Sequence, residues 1–104
     1  MVELVWTEPA LMDLDEVAEY IALDNPLAAS NYVKKVFKHV DRLSVYPNSG
    51  KRPSELPESP YREVIVPPCR IFYRIENSHV YIVHVMRSER LLRSFLLDRT
   101  GRST

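Results

Sequence analysis

The chain has 104 residues, 14 of them basic and 14 acidic, with a formal net charge of zero, one cysteine and three histidines. That length supports one domain around one core, and a lone Cys69 with the scattered His39, His79 and His84 excludes an internal disulfide and offers no metal-ligand spacing. No apolar run is long enough to cross a bilayer, and the start M-V-E-L-V-W-T-E lacks a basic-then-apolar signal, so a cytoplasmic protein without membrane contact, metal or cofactor is expected.

Residues 2–6 predict a short strand. Thr7 follows as a helix N-cap hydroxyl, with Glu8 and Pro9 in the first turn, where acid and proline are both favoured. Ala10, Leu11, Leu14, Val17, Ala18, Ile21 and Ala22 then recur at helical steps, leaving Asp13, Asp15, Glu16 and Glu19 on or near the wet face. Asn25-Pro26 stops this helix and starts a second, striped by Ala29, Val33, Val36, Val40 and Leu43, with Tyr32 and Phe37 flanking and Pro47-Asn48-Ser49-Gly50 as its end. The two helices are expected to form an antiparallel hairpin.

Residues 51–60 hold three prolines and no periodicity, which predicts an ordered loop. Residues 61–66, 69–76 and 79–87 read as strands of an antiparallel meander, with Asn77-Ser78 as the tight turn between the last two. Residues 87–97 predict a short C-terminal helix whose Leu91, Leu92, Phe95 and Leu96 pack back on the sheet; the remainder, 98–104, reads as a frayed tail. The expected class is α+β, one domain over residues 1–97, with a helical hairpin on an antiparallel sheet in the order β-α-α-β-β-β.

Charge is unevenly distributed along the chain. The first 25 residues carry seven acids and no lysine or arginine, whereas from Lys34 onward the other seven acids meet all 14 basic residues. Such a basic half suits a phosphate backbone or an acidic protein segment, and ten of the 14 are arginines, the better fork for either. Arg70 and Arg74 share strand parity with Phe72, so two guanidinium groups are expected on one side of the sheet. Arg74 is read as keeping a solvent face or sheet edge soluble. Tyr61, Phe72, Tyr73 and Tyr81 are read as core side chains rather than base-stacking platforms.

The ordered set of motifs resembles the RelE/ParE superfamily of bacterial toxins, the plasmid stabilisation type. It comprises Trp6-Thr7 with Ala10, Asp13-Leu14, Tyr20-Ile21, Pro26 with Ala28-Ala29, Tyr46-Pro47 with Gly50, Arg62, Pro68-Cys69-Arg70-Ile71 with Tyr73, and His84 with Arg87. The resemblance runs from about residue 2 to 97. It implies a toxin of a type II toxin-antitoxin pair in a hetero-oligomer with its antitoxin, which supplies an acidic, amphipathic segment and a ribbon-helix-helix DNA-binding part. It also implies one of two targets. RelE-like members cleave messenger RNA in the ribosome, and ParE-like members poison DNA gyrase without cutting a bond themselves.

Cleavage by a ribose 2′-hydroxyl needs a proton acceptor, a cation for the phosphorane charge and a donor for the leaving oxygen. Arg62, Arg70, Arg87 and Arg90 stand where the RelE-like pattern places basic residues, and His84 is the only mid-strand histidine. However, the pattern's second lysine on the second strand is Val64 here, and its C-terminal tyrosine is replaced by leucine, serine, phenylalanine or arginine. The leading expectation is therefore a ParE-like gyrase poison and not an enzyme, using Arg62, Arg70, Arg87, Arg90 and Arg93 to bind antitoxin or target. The alternative is a ribosome-dependent endoribonuclease using Arg62, Arg70, His84, Arg87 and Arg90; a third reading is a degenerate toxin that only binds its antitoxin and co-represses the operon. His84 itself is read as hydrogen-bonded in or near the core, and Cys69 as packing.

Overall fold

The structure is a computed structural model, and it describes residues 1–93, 96 and 97. Strand β1 (Glu3–Trp6) leads into helices α1 (Glu8–Ala22) and α2 (Pro26–Asp41), a 3-10 turn (Arg42–Ser44), and strands β2 (Arg62–Val66), β3 (Cys69–Glu76) and β4 (His79–Arg87). The helical hairpin and the three-stranded meander are as the sequence predicts. Asn25 caps α2, its side chain accepting the Ala28 N–H at 3.0 Å. Thr7 precedes α1 but does not cap it; its hydroxyl instead donates to the Ile82 carbonyl at 2.7 Å and ties the helix start to β4.

The sheet is mixed rather than antiparallel. Its order is β1-β4-β3-β2, and β1 lies parallel to β4, with Leu4 opposite Val80 and Trp6 opposite Ile82. The long excursion through α1 and α2 makes this possible, because parallel neighbours need a crossover that a tight turn cannot supply. Trp6 meets Phe37 of α2 with ring centroids 4.9 Å apart, fixing the hairpin over this strand.

β3 and β4 are central, so both faces of each are buried. On the helix side, Leu14, Val36 and Val40 pack with Ile71, Tyr73, Ile82 and Val85. On the other side, Phe72, Val83 and Met86 pack under Tyr61, Leu92 and Leu97, so this face is covered by the 51–60 loop and the chain after β4. Tyr61, Phe72 and Tyr73 are thus core residues, as expected. A bulge beside Phe72/Tyr73 pairs Phe72 with His84 and Tyr73 with Ile82, leaving Val83 as an extra residue. The extra residue reverses parity, so Ile82 and Val85 both face the helices although they are three apart.

The helix expected over residues 87–97 does not form over 87–93. Arg87 is the last residue of β4, opposite Cys69; the Ser88 N–H donates to the Pro68 carbonyl at 2.9 Å, and the Arg90 N–H turns back to Arg87. Bonds to the sheet outcompete local helical periodicity here. Leu92 and Leu97 are buried and Leu96 is half-buried, but Leu91 is 63% exposed and does not pack back. Phe95 and the tail from residue 98 lie outside the described residues.

The β3–β4 turn holds Asn77 at φ 52° and Ser78 at φ 68°, both left-handed, as a two-residue hairpin of primed type requires. Asparagine tolerates this conformation and serine does not favour it. Ser78→Gly is expected to raise stability by about 0.5–1 kcal/mol after the entropy of the freer unfolded chain is subtracted. Urea unfolding checks this; an unchanged or lower midpoint contradicts it.

Candidate functional site

Three cations of the chain's basic half, Arg87, Arg90 and Arg93, gather where α1 meets the end of β4. An open groove of about 740 Å³ lies there. Arg87, Arg90 and Arg93 line one wall, and Asp13, Glu16 and Tyr20 of α1 line the other. Tyr20 and Arg87 also border a second hollow of about 500 Å³ beside Leu23, so the two depressions adjoin. The Arg87 guanidinium sits 5.8 Å from the Tyr20 ring centroid and pairs with Glu89 at 2.9 Å. Tyr20 and Leu23, 66% and 84% exposed, give this second hollow an apolar rim.

His84 borders the groove from beneath. It is buried, and its Nδ1 lies 2.7 Å from Asp13 Oδ2, which also accepts the Val85 N–H at 3.1 Å. A carboxylate acceptor fixes the proton on Nδ1. The ring lies nearly parallel to Phe72, with centroids 5.7 Å apart. His84 is therefore the hydrogen-bonded histidine the sequence suggested. Asp13 differs from expectation, since it sits on the packed side of α1 and joins that helix to β4.

Arg70 and Arg62 stand apart from this groove. Arg70 is buried and its charge is matched internally. Its Nη1 and Nη2 donate to Glu55 at 2.9 and 2.8 Å, and its Nε donates to Glu63 Oε1 at 2.7 Å. Glu63 is 3% exposed. The Arg70 hydrogen bonds, helped by the Leu92 N–H, hold the Glu55 carboxyl down at a pKa of about 2, and Glu55 in turn raises that of Arg70. Arg70 therefore does not present a free fork to a partner. Arg62 donates to the Gly50 carbonyl at 2.8 Å and the Asn48 carbonyl at 3.3 Å, which fastens the turn after α2 to edge strand β2. Of the five arginines read as partner-binding, three meet at the groove and two close the fold elsewhere.

Arg74 is buried too, so it neither guards an edge nor keeps a face soluble. It stacks 4.6 Å from the Tyr81 centroid and pairs with Glu76 at 3.1 Å. Cys69 packs against Tyr32, whose hydroxyl donates to the Val66 carbonyl at 2.6 Å, and burial pushes both groups' pKa values up. An inert thiol in the core fits the packing role expected of it.

No group of three or more His, Cys, Asp and Glu side chains among the described residues is arranged to hold a metal ion, and no helix among them is long and apolar enough to cross a membrane. What the geometry defines is a small α+β protein with an exposed arginine cluster beside an apolar rim, a form suited to gripping another macromolecule. The family described as "ParE toxin of type II toxin-antitoxin system, parDE" matches residues 4–92, and the chain belongs to it. It is 36% identical over 92 residues to "Toxin RelE2" of Caulobacter vibrioides, an alignment covering 88% of this chain and all of that protein. It is 40% identical over 85 residues to "Putative toxin Y4kP" of Sinorhizobium fredii, covering 80% and 84% of the two chains. The fold is shared with a solved structure described as "Chromosomal ParDE TA system from P. aeruginosa", at TM-score 0.73 and 23% identity over 86% of this chain and 98% of that one. The protein is thus a toxin of a type II toxin-antitoxin system, and such a toxin has a cognate antitoxin.

Proposed function

We propose that this toxin acts by protein contact on DNA gyrase, through Arg87, Arg90 and Arg93, and cuts no bond itself. The supporting observation is the fate of the residues that a nuclease would need. Arg70 is engaged by Glu55 and Glu63, Arg62 by backbone carbonyls, and His84 is 6% exposed and held by Asp13. A base that must take a 2′-hydroxyl proton has to reach it within hydrogen-bond distance, and a buried ring does not. The exposed Arg90 and Arg93 and the half-exposed Arg87, with Tyr20 and Leu23 close to the last, suit a flat, acidic protein surface. The antitoxin, in this reading, brings acidic residues to the same arginines and apolar ones to the rim. Purified toxin is expected to inhibit gyrase supercoiling or trap cleaved DNA near stoichiometric amounts. No effect at large excess over gyrase removes the reading.

A second reading draws on the groove itself, where His84, Arg87 and Arg90 meet around one depression, three of the five residues of the nuclease set. A ribosome-dependent endoribonuclease would produce in-frame, translation-dependent cuts after induction, visible by primer extension on cellular messenger RNA. Their absence discards it.

A further inference from the structure

Glu55 occupies an aperiodic loop, yet its carboxylate reaches two distant parts of the fold. Its carboxylate receives both Arg70 Nη atoms, and its Oε2 also accepts the Leu92 backbone N–H at 3.2 Å. Arg70 Nη1 lies a further 3.4 Å from the Arg90 carbonyl oxygen. One carboxylate on residues 51–60 therefore links β3 to the chain that follows β4. Other ties of that chain include the Ser88 and Arg90 backbone bonds, a Leu96 N–H bond to the Arg93 carbonyl within the chain itself, and the packing of Leu92, Leu96 and Leu97 with Tyr61 and Met86. Apolar burial fixes depth but not direction, whereas a backbone hydrogen bond to a charged, immobilised acceptor fixes both.

Leu92 lies between Arg90 and Arg93 in sequence, and both arginines are exposed at the groove. We infer that Glu55 is a positioning residue: by pinning the Leu92 N–H to Arg70 it sets where Arg90 and Arg93 stand, and so controls the toxin's grip on its target. Glu55 touches no part of the groove itself, and Arg70 acts through it, as the rigid post to which the pin is fixed. The inference rests on the reading that these arginines contact the target, but not on which target it is.

The test compares wild type with Glu55→Ala and Glu55→Gln. Glutamine preserves volume and the burial of the loop, and its carbonyl oxygen can stand in for Oε2 and accept from both Arg70 Nη1 and Leu92. It is uncharged, however, and its amide N–H₂ then faces Arg70 Nη2, so it weakens the pin without removing it and covers the case in which alanine fails to fold. Hydrogen exchange at the Leu92 amide is expected to rise about 10- to 100-fold in the alanine variant, the effect of losing one charge-assisted bond, with glutamine between. Amides within β3 and β4 should stay protected. Growth arrest on induction should weaken by about tenfold or more in step with that exchange, and this readout assumes no particular target. Faster Leu92 exchange with undiminished growth arrest would make Glu55 merely structural and overturn the inference; unchanged exchange would remove the pin itself. Failure of wild-type toxin to inhibit gyrase, with the exchange and growth results as expected, would overturn the gyrase reading and leave the role of Glu55 standing.

Discussion

Replacing Arg70 by alanine is expected to cost about 3–5 kcal/mol of folding stability, because breaking a buried ion pair strands its partner's charge. The partner here is Glu63, 3% exposed, with the Arg70 Nε 2.7 Å from its Oε1. Glu55, 17% exposed at its side chain, retains some access to water and suffers less. Adding Glu63→Gln to Arg70→Ala should therefore recover about 1–3 kcal/mol, since a buried amide needs far less compensation than a carboxylate. Urea unfolding of the three proteins measures both effects. A loss under about 1 kcal/mol for the single variant would mean that water reaches Glu63 and that the pair is a surface one. The consequence for function is direct. A substitution at Arg70 that abolishes toxicity or antitoxin binding reports on folding and on the placement of Arg90 and Arg93, whereas Arg87, half-exposed at the groove, is the position at which glutamate would report on partner contact.

The sequence made the elements legible wherever a local rule sufficed. The limits of β3 and β4 follow from β-branched and aromatic runs around Asn77-Ser78, and α2 from Asn25-Pro26 and its apolar stripe. The partnership of β1 with β4 was not legible, because strand order depends on where the hairpin of helices delivers the chain. The second core was hidden for a related reason: residues 51–60 have no period, so nothing local announces that they cover Phe72 and Val83. Two of the acids that hold His84 and Arg70, Asp13 and Glu63, were readable from a signal that composition conceals. Asp13 stands at the i+3 position of the stripe Ala10, Leu14, Val17, which is an apolar-face position occupied by a charge. Glu63 and Arg70 lie diagonally across β2 and β3, since Ile65 pairs with Arg70 and Glu63 with Phe72. Glu55 carries no such signal; only the folded loop brings it within reach.

Gly50→Ala is the second substitution with a large expected effect, a loss of about 2–4 kcal/mol from forced overpacking and disrupted buried hydrogen bonds. A Cβ at position 50 would stand 2.5 Å from Tyr73 Oη, 2.8 Å from Tyr73 Cε1 and 2.7 Å from the Glu63 carbonyl oxygen. None of these can retreat cheaply. Tyr73 is fully buried, accepts the Gly50 N–H at 2.9 Å and donates to the Pro47 carbonyl at 2.7 Å. The Glu63 backbone is held by two bonds to Lys51, of 3.1 and 2.7 Å. Tyr73→Phe alone should cost about 1–2 kcal/mol by leaving the Gly50 N–H and Pro47 carbonyl unmet. Combined with Gly50→Ala it should cost less than the sum of the two, because deleting the hydroxyl removes the nearest clash, while the contact with Glu63 keeps the recovery partial. Strict additivity in urea unfolding would show that the clash with Glu63 dominates, and a loss below about 1 kcal/mol for Gly50→Ala would show that the turn shifts aside. Because Glu63 also holds Arg70, a displaced β2 backbone should loosen the Arg70–Glu55 pin as well. Faster exchange of the Leu92 amide in Gly50→Ala, in a part of the chain that position 50 does not touch, is the expected sign of that link.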